Sequence, residues 1–258
     1  MTGLDDVHPT ARAFDAVGPE YDRGRPDYPP EAIRCLADAL GIRSGRTVVE
    51  LGSGTGKFTR ALVPLGAKLT AVEPSPGMRT VFRSSLPGVK LLEGTAEAIP
   101  LPDASVDVVV AAQAFHWFRQ PRALDEIARV LRPSGGLGLI WNRRDAEVPW
   151  VAAFGEILDR YDSGTVPRIQ KGAWREAFAN HPHFAPPESR EFRWRQDGNV
   201  ATFVDRALSV SFIAVRPATE RARVGEEVRR LLAEHPDTRG RERFEMAYRT
   251  DVHWVRRH

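Results

Sequence analysis

A glycine-rich segment that follows an acidic residue carries the clearest chemistry in this sequence. In the run VVELGSGTGKF, Glu50 precedes three glycines at alternating positions, Gly52, Gly54 and Gly56. Glycine has no Cβ, so the backbone can turn tightly and approach a ligand closely at these positions. The pattern therefore predicts a ligand-binding turn that begins at a carboxylate.

The flanking residues predict the elements that hold this turn. Residues 47–51 form a short apolar run rich in β-branched residues, which is typical of a strand buried on both faces. Apolar residues then recur at helical spacing between positions 58 and 65, and Gly66 follows them. A strand, a glycine turn and a helix form the first unit of a nucleotide-binding α/β sheet, with the ligand at the carboxyl end of the strand.

A second acidic residue lies at the end of the next predicted strand. Residues 68–72 are again β-branched and apolar, and Glu73 follows them. This is about 20 residues after the glycines, where a carboxylate can bind the two hydroxyl groups of a ribose. Taken alone, the glycine run is also compatible with a purely structural tight turn. The two acidic strand ends together favour a nucleoside ligand.

Two other phosphate-binding motifs do not match the residues. A P-loop requires glycine where Leu51 stands and serine or threonine where Phe58 stands. The dinucleotide motif G-x-G-x-x-G requires a third glycine at the position of Lys57, which disfavours a dehydrogenase. An acidic strand end followed by G-x-G-x-G instead resembles motif I of the class I S-adenosylmethionine (SAM) methyltransferases.

An aromatic cluster follows the predicted central strand. Residues 106–112 are almost continuously apolar and run into Gln113 and the segment AFHWF, which contains His116 and Trp117. The carboxyl end of a central strand is where ligands bind in a doubly wound sheet. AFHWF resembles the methyltransferase type 11 group, which includes trans-aconitate O-methyltransferases and dithiol S-methyltransferases. The resemblance covers residues 14–145 and is weaker afterwards.

The amino-terminal segment also resembles these enzymes. Its pattern Tyr-x-x-x-Arg-Pro-x-Tyr-Pro is similar to a segment that closes over the cofactor in small-molecule methyltransferases. The resemblance implies a lid over residues 1–29, in which Tyr21 faces the sulfonium of SAM and Arg25 its carboxylate. An arm that merely packs on the domain is the alternative.

The resemblance and the strand ends together give a set of cofactor-binding residues. Related enzymes place an acidic residue where Thr95 stands, and Glu97 follows two positions later, so either side chain is a candidate to bind adenine. The thioether of Met78 suits contact with the adenine ring. The full predicted set is Tyr21, Arg25, Glu50, Gly52, Ser53, Gly54, Glu73, Pro74, Met78, Thr95, Ala96, Glu97 and Gln113.

A second set of residues is predicted to bind the methyl acceptor. The ends of the fourth and fifth strands should face one cavity, and His116 is the candidate proton acceptor. Packing of these aromatic residues and the histidine in the core is the alternative. The predicted substrate-binding residues are Tyr21, His116, Trp117, Trp141, Asn142 and Arg143.

SAM carries its own leaving group, so such an enzyme needs mainly to align the acceptor with the methyl group. A carboxylate or an acidic thiol needs no base, whereas a phenol or alcohol does. No metal site is predicted.

Methylation of a small-molecule thiol, for example of a dithiol, is slightly favoured over O-methylation of a small carboxylate. A nucleic-acid methyltransferase lacks support, because no Asn-Pro-Pro-Tyr-type segment follows the fourth strand. A SAM-binding protein without catalytic activity is the remaining alternative function.

The whole chain of 258 residues suits one α/β domain with an elaboration. Seven strand-like segments predict a doubly wound, mostly parallel seven-stranded sheet. Residues 30–145 would form the SAM-binding core. Residues 147–235 would form a helical substrate-side elaboration interrupted by a strand, and residues 242–256 the final strand.

The composition predicts the compartment and the partners. Hydrophobic residues make up 42%, and neither an apolar run long enough to span a bilayer nor the apolar core of a signal peptide is present. The single Cys35 excludes an internal disulfide. We therefore expect a cytoplasmic enzyme that binds a small molecule and neither membrane nor nucleic acid. The sequence gives no indication of oligomeric state.

Overall fold

The computed structural model of the protein describes residues 22, 24–164 and 172–258. Most of the predicted lid, including Tyr21, lies outside these residues. None of the helices within the described ranges is both long and apolar enough to span a bilayer.

A single mixed sheet of seven strands forms the centre of the fold, which confirms the predicted α/β class. Strands β1 to β5 are parallel, β7 runs antiparallel to β5, and β6 runs antiparallel to β7, in the order β3-β2-β1-β4-β5-β7-β6. The strands are β1 Thr47–Leu51, β2 Lys68–Val72, β3 Lys90–Leu92, β4 Val106–Ala112, β5 Leu131–Arg144, β6 Glu188–Gly198 and β7 Phe244–Arg256.

Helices flank the sheet and begin where the sequence supplies suitable residues. Proline occupies the first turn of α1, α3, α4 and α5, where its missing N–H costs nothing. The α-helices are α1 Pro30–Leu40, α2 Lys57–Leu62, α3 Pro76–Ser85, α4 Gln120–Val130, α5 Pro149–Asp159, α6 Val200–Leu208, α7 Ser211–Ala214 and α8 Ala218–Glu234. Short 3-10 helices span Val63–Leu65, Phe115–Trp117 and Ala173–Phe178.

The central strands are buried on both faces. Val49 and Val109 lie in one apolar cluster together with residues of α4. Val48 and Val108 lie in a second cluster with residues of α1 and α2. Because successive side chains of a strand point to opposite faces, neighbouring valines contribute to different clusters. A third cluster joins α5, α6 and α8 to the start of β7.

Two elements differ from the sequence prediction. The apolar run Leu137–Trp141 predicts a fifth strand that ends at Trp141, but β5 spans Leu131–Arg144, and its last residues pair with β7. The helical pattern of residues 201–215 predicts one helix, which the structure divides into α6 and α7. Between them the Ser209 hydroxyl donates to the Arg206 carbonyl at 2.9 Å, a local hydrogen bond that competes with continuation of a helix.

Candidate active site

A cavity of about 250 Å³ lies at the carboxyl ends of β1, β2 and β4, where the sequence placed the ligand. Fourteen of the predicted site residues line it: Arg25, Glu50, Gly52, Ser53, Gly54, Glu73, Pro74, Met78, Thr95, Ala96, Glu97, Gln113, His116 and Trp117. Tyr28, Lys57, Phe58, Phe118 and Ser211 also contribute to its wall, although the sequence analysis did not include them in the site.

The glycine turn contributes to the cavity in two ways. Gly52 and Gly54 have φ angles of 65° and 57°, in the left-handed region that favours glycine. A Cβ on Gly52 would lie 2.9 Å from the Cβ of Ala114, so this glycine allows close packing. A Cβ on Gly54 would meet no protein atom within 4 Å, and Gly54 lines the cavity. Gly54 is therefore the position at which a side chain would take ligand space without disturbing the protein's packing.

Glu73 connects the second strand to this turn. One carboxylate oxygen, Oε2, accepts the Gly54 N–H at 2.8 Å, and the other, Oε1, accepts the Ser75 N–H at 2.9 Å. The side chain is buried and faces the cavity. The acidic end of the second strand and the glycine turn, which lie about 20 residues apart in the sequence, are thus joined by the hydrogen bond between Glu73 and Gly54.

Glu50 is the buried acid of the first strand. Burial raises its pKa to about 8, and the nearby charge of Glu73 acts in the same direction. The Thr59 hydroxyl donates to Glu50 Oε2. At neutral pH the Glu50 carboxyl is therefore largely protonated, and it presents a hydrogen-bonding group without adding a second full negative charge to the cavity.

Two hydroxyl groups in the cavity wall have no hydrogen-bond partner within the described part of the chain. Both Ser53 Oγ and Thr95 Oγ1 are buried and unpaired. In contrast, Glu97 Oε1 accepts the Arg119 N–H at 2.7 Å. A buried unpaired hydroxyl is costly, which favours a ligand that supplies the missing hydrogen bonds. Of the two candidates for contact with a base, Thr95 is the one whose side chain has no protein partner.

Gln113 ends β4 in a strained conformation. Its φ angle is 55°, which is uncommon for a residue other than glycine. The side-chain amide Nε2 donates to the Asn142 carbonyl at 3.1 Å, which ties the end of β4 to β5. Strain of this kind is found at binding sites, where the surrounding structure holds it in place.

His116 is held in one protonation state and one tautomer. Trp141 Nε1 donates to His116 Nδ1 at 3.2 Å, and an indole N–H can only donate. The imidazole proton is therefore on Nε2. Burial, followed by the charge of Arg25, lowers the pKa of His116 to about 3. The side chain thus offers an N–H donor at neutral pH, which disagrees with its predicted role as a proton acceptor.

Trp141 does not face the cavity as expected. Its side chain is fully buried, with its ring 4.9 Å from that of Trp174 and 5.7 Å from that of His253. The sequence placed it at the end of a strand, but the antiparallel β7 covers this part of β5. Trp141 therefore acts on the cavity only through its hydrogen bond to His116.

The polar residues after Trp141 are also absent from the cavity wall. Asn142 Nδ2 donates to the Asp27 carbonyl at 2.8 Å, and Arg143 forms ion pairs with Asp251 and Glu191. Both side chains are engaged because β7 and β6 extend beside them. Neither residue is part of the described cavity wall, so their contact with the acceptor stays a prediction that this wall does not support.

Asp22 and Asp27 contact Thr55 of the glycine turn and Lys57 after it, and the sequence did not identify these contacts. Thr55 Oγ1 donates to Asp22 Oδ1 at 2.6 Å, and Lys57 Nζ donates to the Asp22 carbonyl at 2.8 Å. Lys57 Nζ also lies 3.3 Å from Asp27 Oδ1. The resemblance of this segment to a cofactor lid is what placed it near the ligand in the sequence analysis.

The described residues fit SAM in three respects. The Gly54 turn leaves room beside the backbone, the Glu73 carboxylate faces the cavity, and the unpaired Ser53 and Thr95 hydroxyls match a ligand rich in polar groups. An adenosine ribose and a methionine moiety supply such groups. Methyl transfer is the chemistry that this ligand would bring.

Comparison with known proteins gives the same result. A family model described as a methyltransferase domain matches residues 49–139. An uncharacterised methyltransferase of Mycobacterium bovis is 43% identical over 221 residues, covering 86% of this chain and 85% of that protein. This chain belongs to the SAM-dependent methyltransferases. A methyltransferase-like protein of Schizosaccharomyces pombe is 36% identical to it and covers 93% of both chains.

A solved structure shows the same fold. A candidate type II methyltransferase from Anaeromyxobacter dehalogenans aligns with a TM-score of 0.61 and 24% identity, over 90% of this methyltransferase and 97% of that chain. A shorter match has a named activity. A malonyl-[acyl-carrier protein] O-methyltransferase of Methylococcus capsulatus is 43% identical to this methyltransferase over 96 residues, about 35% of each chain.

Proposed function

We propose that this methyltransferase binds SAM through the glycine turn and the two acidic strand ends and methylates a small-molecule acceptor. The single observation that carries the proposal is the contact of Glu73 Oε2 with the Gly54 N–H inside the cavity. This hydrogen bond joins Glu73, the residue proposed to bind the ribose, to the glycine turn, whose backbone at Gly54 leaves room for the cofactor. We also propose that the enzyme acts in the cytoplasm.

The cofactor would be held by residues at three strand ends. Glu73 would accept the ribose hydroxyls, and Thr95 and the backbone of Ala96 would contact adenine, beside the Met78 side chain. The glycine turn would lie along the methionine portion. Supporting residues in the same wall are Arg25, Glu50, Ser53, Pro74, Glu97 and Gln113.

The chain's own contribution to the reaction would be positioning. Bound SAM supplies an electrophilic methyl group and its own leaving group, so the acceptor's lone pair forms the new bond as the carbon–sulfur bond breaks. Alignment of the two molecules can account for several kcal/mol of the lowered barrier. His116 Nε2–H would hold an acceptor oxygen by a hydrogen bond, without removing a proton from it.

We propose a carboxylate as the acceptor group. The Arg25 guanidinium lines the cavity, and its charge reaches His116, whose Nε2 carries a proton. A cation and an N–H donor suit an anionic oxygen, which needs no base. The partial similarity to a malonyl-[acyl-carrier protein] O-methyltransferase is in line with this choice. We therefore favour the trans-aconitate branch over the dithiol branch, which the sequence alone slightly favoured.

A thiolate is the second candidate acceptor. Trp117 and Phe118 give the cavity an aromatic wall, which suits a flat, apolar thiol. Both candidates react as anions, so the absence of a base at His116 does not separate them.

Two measurements test the proposal. Calorimetry with SAM, S-adenosylhomocysteine and NAD should show binding of the first two only. Incubation with SAM and a panel of small carboxylates, reduced dithiols and aromatic thiols, followed by mass spectrometry, should show a methyl gain among the carboxylates. Binding of NAD without SAM would contradict the cofactor assignment, and turnover confined to thiols would contradict the acceptor assignment.

A further inference from the structure

Two arginines near the cavity have no acidic partner among the residues that the structure describes. Arg206 is 7% exposed, and its Nε has no hydrogen-bond partner. Its only hydrogen bond to a side chain within residues 22, 24–164 and 172–258 runs from Nη1 to Ser209 Oγ at 3.4 Å. In the same part of the chain, the side chain of Arg144 makes no hydrogen bond or ion pair, and its guanidinium lies 5.7 Å from the centre of the Phe154 ring.

Both arginines border the same apolar cluster, because Arg144 lies over Phe154, Arg206 belongs to α6 with Val204, and Phe154 and Val204 are both members of that cluster. Burial, followed by the charge of Arg206, lowers the pKa of Arg144 to about 10, and the charge of Arg25 acts in the same direction. The carboxylate of Asp159 acts in the opposite direction but forms no ion pair with Arg144 in the described structure. Positive charge is therefore concentrated here beyond what nearby acidic groups balance.

A buried hydroxyl group adds to this cluster. Tyr248 pairs with Arg144 across β5 and β7, is 1% exposed, and has a hydroxyl without a hydrogen-bond partner. A phenol O–H can donate to an anion, as the guanidinium N–H groups can. Unpaired donors of two chemical types thus converge on one region of the elaboration.

Arg25 connects this cluster to the cavity. Its Nη2 donates to the Ser209 carbonyl at 2.8 Å, and Arg206 contacts the hydroxyl of the same serine. Arg25 and Ser211 both line the cavity wall. One turn between α6 and α7 therefore joins the Arg206 side chain to the compartment that holds His116.

Several arginines elsewhere in this fold have acidic partners. Arg129 pairs with Glu126 and Asp103, and Arg249 pairs with Asp145, among other acidic groups. Concentrating positive charge without such partners is unfavourable for the empty protein. Binding sites commonly retain unfavourable groups of this kind, because a ligand later satisfies them.

We propose that Arg144, Arg206 and Tyr248 form an anion-binding subsite for a second carboxylate of the acceptor, adjoining Arg25. This inference rests on the proposed function, since Arg25 and His116 would receive the carboxylate to be methylated. The preferred acceptor is then a dicarboxylate, one end of which is esterified while the other binds the arginines.

Calorimetry on the full chain saturated with S-adenosylhomocysteine tests the subsite. The probes are succinate, glutarate and adipate, each compared with its monoamide, which keeps one carboxylate and a similar shape. We expect at least one dicarboxylate to bind about tenfold or more tightly than its monoamide, because a hydrogen bond between charged groups is among the stronger polar contacts. Equal affinity across every pair would overturn the inference.

Three variants assign the effect to residues. Arg144→Gln and Arg206→Gln should each remove the preference for the dicarboxylate, whereas Arg230→Gln, an exposed arginine of α8, should retain it. Thermal unfolding without ligand provides the second readout. The two subsite variants should unfold at or above the wild-type midpoint, because they remove unbalanced charge. A lower midpoint together with an unchanged preference would show that the arginines are structural.

The controls separate this inference from the proposed function. If S-adenosylhomocysteine does not bind the wild-type protein, the proposed function fails. If it binds with the same affinity to all four proteins while no dicarboxylate is preferred, only the subsite fails. Inorganic phosphate at matched ionic strength is the control probe for an anion site without preference for carboxylates. If phosphate binds more tightly than every dicarboxylate, the inference is also overturned.

Discussion

Replacing His116 with glutamine tests the protonation state of the cavity. A glutamine amide can still accept from Trp141 and donate into the cavity, but it cannot gain a proton near neutral pH. In the folded wild-type protein the pKa of His116 is lowered from 6.5 to about 3. The unfolded chain therefore binds more protons below pH 6.5. Stability contributed by neutral His116 is present above pH 6.5 and is lost as the pH falls toward about 3.

The size of the effect follows from the two pKa values. Between pH 7 and pH 5 the wild-type protein should lose about 2 kcal/mol of unfolding free energy through His116 alone. A folded pKa of about 4 would give nearly the same figure, because either value lies well below the range tested. Other titrating groups, including His253, change equally in both proteins and cancel in the difference.

Urea unfolding at pH 7 and at pH 5 measures this difference. The loss of unfolding free energy should be about 2 kcal/mol smaller for His116→Gln than for the wild-type protein. The pH profiles of kcat/KM for the wild type and the variant should have the same shape near pH 6.5. An inflection there in the wild type alone, or the same pH dependence of stability in both proteins, would refute the lowered pKa of His116 and restore the residue as a candidate base.

Three further substitutions probe the cofactor wall. Glu73→Ala should weaken SAM binding in calorimetry by about tenfold or more, because it removes the acceptors for the ribose hydroxyls; unchanged affinity would contradict that role. Gly54→Val should abolish SAM binding. Its control is Gly240→Val, because Gly240 also has a positive φ, of 70°, and open space at its Cβ position. This control should bind SAM normally and lose a similar amount of unfolding free energy. Trp141→Phe should cost at least about 1 kcal/mol and alter the ¹⁵N spectrum of His116, and an unchanged spectrum would mean that the indole does not select the tautomer.

The sequence predicted the parts of the site that short segments determine. Glu50, Gly54 and Glu73 each lie at the end of a strand with a clear apolar pattern, and strand ends meet at one edge of a parallel sheet. The cavity and most of its wall follow from that rule. The mixed seven-stranded sheet was predicted for the same reason.

The acceptor side was harder to predict because its geometry depends on distant pairing. Asn142 and Arg143 belong to a strand end in the sequence, but β7 extends β5 past them and supplies their partners. Arg25 meets Ser209, which lies 184 positions away. No local pattern encodes such a contact. The break between α6 and α7 lies at Val210, where the backbone is extended, and an apolar periodicity cannot reveal it.

The position of β7 affects how the chain can fold. This strand, residues 244–256, lies between β5 and β6 and is the only partner of β6 in the described sheet. During synthesis β6 therefore emerges well before its neighbour and has no hydrogen-bonding partner until β7 follows. An unpaired strand of this kind is prone to association with other chains. A ribosome-bound chain arrested before residue 244 should keep an assembled glycine turn yet require chaperone protection of residues 188–198.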